Sequence, residues 1–167
     1  MKKLTHEMRY DGATPGQVHA MLAETRFREQ VCEYQHFPRH TVTIEPNGQR
    51  MRVRVDQRRP ADGLPSFARK FVGQEINIVQ EEEWSSATDA TLSVAIPGKP
   101  GEMTGTVRLA GDDTGTTETV DAEVRVNIPV VGGRIEGFIA DMLLKALKAE
   151  SRVGRDWLAT GGRGPDA

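Results

Sequence analysis

The 167 residues contain one cysteine, Cys32. One thiol cannot close an internal disulfide, and no Cys/His cluster stands ready to hold a structural zinc. Aromatic residues make up only 5% of the chain, so aliphatic side chains must supply most of any core. No stretch approaches the roughly 18 to 20 consecutive apolar residues of a membrane-spanning helix. Charge of one sign is lacking too: 22 basic residues meet 24 acidic ones, for a formal net charge of −2. Such a balance gives no long-range field for nucleic acid or anionic lipid. The opening Met-Lys-Lys-Leu-Thr-His-Glu carries charge where a signal peptide needs an apolar run. These absences predict a cytoplasmic protein with no nucleic-acid partner, no stable membrane insertion and no metal or cofactor.

What is present suffices for a core. Hydrophobic residues are 37% and charged residues 28%, values of a folded chain. The length suits one domain, expected over residues 1 to 160, with a flexible tail over 161 to 167. Residues 3 to 10 alternate, with Leu4, His6, Met8 and Tyr10 on one face of a first strand. Thr14-Pro15-Gly16-Gln17 is a helix start, because threonine can cap, proline suits the first turn and glutamine can reach back. A second short helix is expected over residues 25 to 33, with Phe27, Val31 and Cys32 inward.

From residue 40 to 128 the period is two almost throughout. Met51, Val53 and Val55 point one way while Arg50, Arg52, Arg54 and Asp56 point the other, the habit of an antiparallel sheet covered on one side. Further strands carry Ile76 and Ile78, then Leu92, Val94 and Ile96, then Val107 and Leu109, then Val120 through Ile128. Between Val55 and Ile76, the residues Leu64, Phe67, Phe71 and Val72 are spaced for a short helix over an opening. After Gly132 and Gly133 the period becomes 3.6 over residues 134 to 158. Ile135, Ile139, Met142, Ala146, Ala149, Val153 and Trp157 form the apolar stripe, broadened by Phe138, Leu143 and Leu147; Lys145, Lys148, Glu150 and Arg152 are expected in water.

An antiparallel sheet with one apolar face needs a cover, and only the long C-terminal helix is large enough. In this order of elements the chain resembles the START/polyketide-cyclase-like helix-grip superfamily. It looks closest to an uncharacterised bacterial subfamily, through Leu-Pro-Ser-Phe-Ala-Arg-Lys-Phe-Val-Gly at 64 to 73, Glu-Glu-Trp at 82 to 84 and Gly-Gly-Arg-Ile-Glu-Gly at 132 to 137. The resemblance implies an α+β fold, a curved antiparallel sheet of six to seven strands around the C-terminal helix. It also implies a hydrophobic cavity between sheet and helix.

The candidate cavity residues are His6, Met8, Tyr10, Val53, Val55, Phe67, Phe71, Ile78, Gln80, Glu82, Trp84, Val94, Val107, Ile139, Met142 and Leu143. Each has a plainer alternative. His6 reads first as a hydrogen-bonded core histidine, Tyr10 and Trp84 as packing, and Glu82 as a strand-end carboxylate, solvated or paired with an arginine. An inward Glu82 would instead have a raised pKa and serve as general acid or base. The arginine row reads as a solvated outer face, with Glu45, Glu81 and Glu83 as cross-strand partners, or else as a docking surface. No nucleotide loop or serine elbow is present, and no catalytic residue is assigned. The expected function is binding of a small apolar ligand: a lipid, an isoprenoid or a polyketide-like molecule. The alternatives are a cyclase or dehydratase on the same fold and a protein-interaction or chaperone-like module.

Overall fold

The structure, a computed structural model, describes residues 1 to 162, so most of the expected tail lies outside the described residues. The chain runs β1 (Lys2–Asp11), α1 (Pro15–Leu22), α2 (Thr25–Tyr34), β2 (Arg39–Asn47), β3 (Arg50–Pro60), α3 (Ser66–Val72), β4 (Glu75–Trp84), β5 (Asp89–Ala95), β6 (Glu102–Asp112), β7 (Gly115–Arg125) and α4 (Gly132–Thr160). Strands β2 to β7 form a meander, and β1 returns to pair with β7, giving the order β1-β7-β6-β5-β4-β3-β2. Every pairing is antiparallel. This seven-stranded sheet around one long helix is the helix-grip architecture that the alternating pattern predicts.

Local chemistry explains the elements. Thr14 Oγ1 accepts from the Gln17 amide at 3.1 Å and Gln17 Oε1 accepts from the Thr14 amide at 2.8 Å, a complete capping box for α1. On β3 the alternation holds, with Met51, Val53 and Val55 buried and the intervening arginines exposed. Register places Arg52 opposite Glu83 and Arg54 opposite Glu81, and Arg54 reaches Glu81 at 2.8 Å. The outer arginine row is therefore a set of solvated cross-strand ion pairs, each a minor contribution to stability.

α4 is 29 residues long, starting at Gly132 rather than two residues later. It packs principally along β1, β7 and α2. Its buried face follows Ile135, Ala140, Leu143, Leu147, Glu150, Val153 and Gly154. The expected stripe is thus rotated: Ile139, Met142 and Ala146 are only half-buried, and Glu150, expected in water, is buried. The helix stands on one half of the sheet, so the flank that carries Ile139 and Met142 overhangs the other half.

At Gly154 α4 comes close to β1. A Cβ there would fall 2.8 Å from Tyr10 Cε1 and 3.1 Å from the Tyr10 hydroxyl. Glycine-to-alanine changes inside helices ordinarily stabilise by about 1 kcal/mol. Gly154→Ala is expected to do the reverse, losing roughly 1 to 3 kcal/mol by overpacking the fully buried Tyr10. A urea midpoint raised by this change would show that the contact is looser.

Candidate functional site

Beneath α4 lies a group of charged side chains that the aliphatic pattern conceals. Arg28 on α2 and Glu82 on β4 are 4% and 6% exposed. They form a bidentate pair, with guanidinium nitrogens 2.7 and 2.9 Å from the two carboxylate oxygens, and Arg28 Nε donates to the Leu22 carbonyl at 2.8 Å. Glu82 also accepts from Gln80 Nε2 at 2.7 Å and from Trp84 Nε1 at 2.9 Å. Burial raises its pKa, but the Arg28 charge and these donors outweigh burial and hold the carboxyl below its ordinary range.

Two more carboxyls face this pair, Glu118 from β7 and Glu150 from α4, both buried. Burial pushes Glu118 well above the ordinary carboxyl range, and the charges of Glu150 and Glu82 add to the effect. Burial pushes Glu150 up to about 7, although Arg28 draws it down. The two carboxyls influence each other's ionisation, so they titrate as a pair rather than singly. From β1, Tyr10 brings its hydroxyl, buried without a hydrogen-bond partner, and burial raises that group as well.

Next to this base, a groove of about 580 Å3 opens between the sheet and the overhanging flank of α4. Phe138, Ile139, Met142, Leu143 and Ala146 form its helix wall. Ile78, Gln80 and Gln57 form its sheet wall, and Leu64, Pro65 and Phe37 also line it. Arg59 lies over the Phe37 ring at 4.5 Å and donates to the Gln35 carbonyl at 3.0 Å, which ties these lining residues together. A small extension of about 30 Å3 continues inward past Gln35, Gln57, Gln80 and Ala146, which line both spaces, to Arg28, Val55, Cys32, Leu147 and Glu150.

Of the residues singled out from the sequence, Ile78, Gln80, Ile139, Met142 and Leu143 line the groove, and Val55 lines its extension. Met8, Tyr10, Val53, Trp84 and Val107 are buried in the core instead. Glu82 is committed to Arg28 behind the groove. His6 is half-exposed on β1, and Val94 is half-buried on β5. Phe67 packs edge-on to Phe138 with Arg134 stacked on its face, and Phe71 is half-buried beside it on α3. The flat-strand alternation sorts faces correctly but cannot say which inward residues meet the helix and which meet the gap. Arg28, Gln57, Glu118 and Glu150 were missed. Alternation back from Val120 marks Glu118, and helical spacing from Leu143 and Leu147 marks Glu150.

The family model described as a protein of unknown function, DUF2505, matches residues 5 to 158. The chain belongs to this family. Solved structures share its fold at low identity. A Thermus thermophilus protein is 15% identical with a TM-score of 0.61, covering 96% of this chain and 99% of that one. The aromatase/cyclase Zhui from a Streptomyces species is 16% identical with a TM-score of 0.56, over 96% and 98% of the two chains. The di-domain ARO/CYC StfQ of the steffimycin biosynthetic pathway is 11% identical with a TM-score of 0.62, over 92% of this chain and 49% of its own. No protein with a curated description matches. This DUF2505 chain thus shares the helix-grip fold of these aromatase/cyclases, and among the described residues no helix is long and apolar enough to cross a membrane.

Proposed function

We propose that the protein binds a small hydrophobic ligand (a lipid, an isoprenoid or a polyketide-like molecule) in the groove between its sheet and α4. The observation that carries this is the groove itself, about 580 Å3 with mainly aliphatic and aromatic walls. That volume lies within the range of small-molecule sites. Transfer of an apolar ligand from water onto these walls is favourable by about 25 cal/mol per Å2 buried. The aromatase/cyclase neighbours are consistent with it at the level of fold.

Native mass spectrometry of freshly purified protein is expected to show a co-purified small molecule. Titration with the neutral fluorophore N-phenyl-1-naphthylamine is expected to saturate. Ile139→Trp, which places an indole in the groove from a half-buried position, should weaken that binding about tenfold or more while the thermal midpoint shifts little. Absence of saturable binding in the wild type would defeat the proposal.

A second reading, a cyclase- or dehydratase-type enzyme, is favoured by one observation. The Glu150 carboxyl, pushed up to about 7, lines the inner extension of the groove. A carboxyl poised near neutrality is suited to general acid–base work. Turnover separates the two readings: a ligand recovered unchanged after incubation supports carriage, and a product of altered mass supports catalysis.

A further inference from the structure

The inner extension differs in chemistry from the groove that leads to it. It measures about 30 Å3, room for one small polar group and not for a chain. Gln57 is 6% exposed, lines both spaces, and leaves Oε1 buried without a hydrogen-bond partner. An orphaned acceptor at that depth carries a desolvation cost that a donor from a bound molecule would relieve. On the opposite wall stands the Glu150 carboxyl, a second acceptor. Gln80 directs its amide nitrogen away, onto Glu82. Arg28, the cation of the extension, has all three guanidinium nitrogens engaged, by Glu82 and the Leu22 carbonyl. An incoming group therefore meets two acceptors, while the Gln80 and Arg28 donors beside it are already engaged.

Resting on the ligand-binding reading above, we infer that the inner extension is a hydroxyl subsite: it takes the O–H end of an apolar alcohol or phenol, with Gln57 Oε1 and Glu150 as acceptors. A carboxylate head would bring a further acidic group against Glu150, behind which Glu82 and Glu118 already share the single charge of Arg28. A fatty acid is thereby selected against, and the apolar body of the alcohol occupies the groove along Ile139 and Met142. An unreactive ester of the same length fits the walls but leaves Gln57 Oε1 unpaired.

Competition against N-phenyl-1-naphthylamine at about pH 8, where ordinary carboxyls are ionised, tests this with 1-decanol, methyl decanoate, decanoate and decylamine. Decanol is expected to displace the probe at a concentration about tenfold or more below that needed for methyl decanoate or decanoate, the factor that corresponds to one buried acceptor satisfied. In Gln57→Leu that advantage should shrink to within about twofold, each displacement being taken relative to the variant's own probe affinity. Gln57→Met provides the same readout should the leucine variant fold poorly. Equal displacement by decanol and methyl decanoate, a tighter decanoate or decylamine, or an advantage that persists in both Gln57 variants overturns the hydroxyl subsite and leaves the groove as a ligand site. Absence of saturable probe binding overturns both.

Discussion

Replacing Arg28 with methionine is expected to cost about 3 to 5 kcal/mol of stability at neutral pH, the range for removing one partner of a buried pair. The guanidinium is the only cation among the described residues that meet in this cluster; Glu82, Glu118 and Glu150 all face it. Burial works against its charge, yet the Glu82 charge and hydrogen bonds hold its pKa above the ordinary value. Methionine fills much of the same volume, so the loss would come from electrostatics more than from a cavity. Glu82 would keep only the Gln80 and Trp84 donors at 2.7 and 2.9 Å and would face two carboxyls without a counter-charge. The deficit should narrow near pH 5, where Glu82 can take up a proton more easily than at neutrality. Arg28→Met combined with Glu82→Gln should recover a large part of it, because no charge is then stranded. A single variant within about 1 kcal/mol of wild type at neutral pH would mean that water reaches the cluster.

The second large effect is a fall in stability with rising pH across the neutral range. Glu150 ionises near 4.5 when unfolded and near 7 when folded, so between these values the folded state holds the extra proton. Stability is then fully present below the unfolded value and is lost as pH rises through the folded one, by roughly 3 kcal/mol for this group alone. Glu118 is raised in the same direction and adds to the loss. Glu82 has the opposite sign: its lowered pKa contributes stability above the ordinary carboxyl value that is lost in acid. Tyr10, raised by burial and by both carboxylates, stays protonated throughout. Chemical denaturation from about pH 5 to pH 8 should show this decline in the wild type. In Glu118→Gln/Glu150→Gln the slope should flatten and the protein should be the more stable of the two at the upper end. An equal slope in both proteins would place these carboxyls in contact with solvent.

The groove and the charged base were unequally legible. Strict alternation in β3 and β7 sorted Met51, Val53, Val55, Val120, Ala122 and Val124 to the inner face, and all are buried. The same alternation placed Gln80, Glu82 and Trp84 on one face, where they now share hydrogen bonds. Hydrophobicity nevertheless misleads at the cluster. Glu150 looks like a solvent residue because it is ionisable, while its neighbours Leu147 and Val153 mark the face it shares. Arg28 likewise stands i to i+4 from the buried Cys32 on α2.

Sequence alone determined what local physics dictates: six to seven strands from a period of two, a long helix from a period of 3.6, and the Thr14 cap from one hydroxyl and one amide. Those signals lie within a few residues of one another, so no knowledge of the rest of the chain is needed to interpret them. Only the tertiary structure decided the site. Arg28 and Glu82 are 54 positions apart and belong to different elements. Their pairing became visible when α2 and α4 settled on the sheet. The groove depends on a still less local quantity, the rotation of α4 that buries Leu143 and Leu147 and leaves Ile139 and Met142 over the gap. An apolar stripe wide enough to accommodate several rotations does not specify one; contacts across the fold do, among them the close approach of Gly154 to Tyr10.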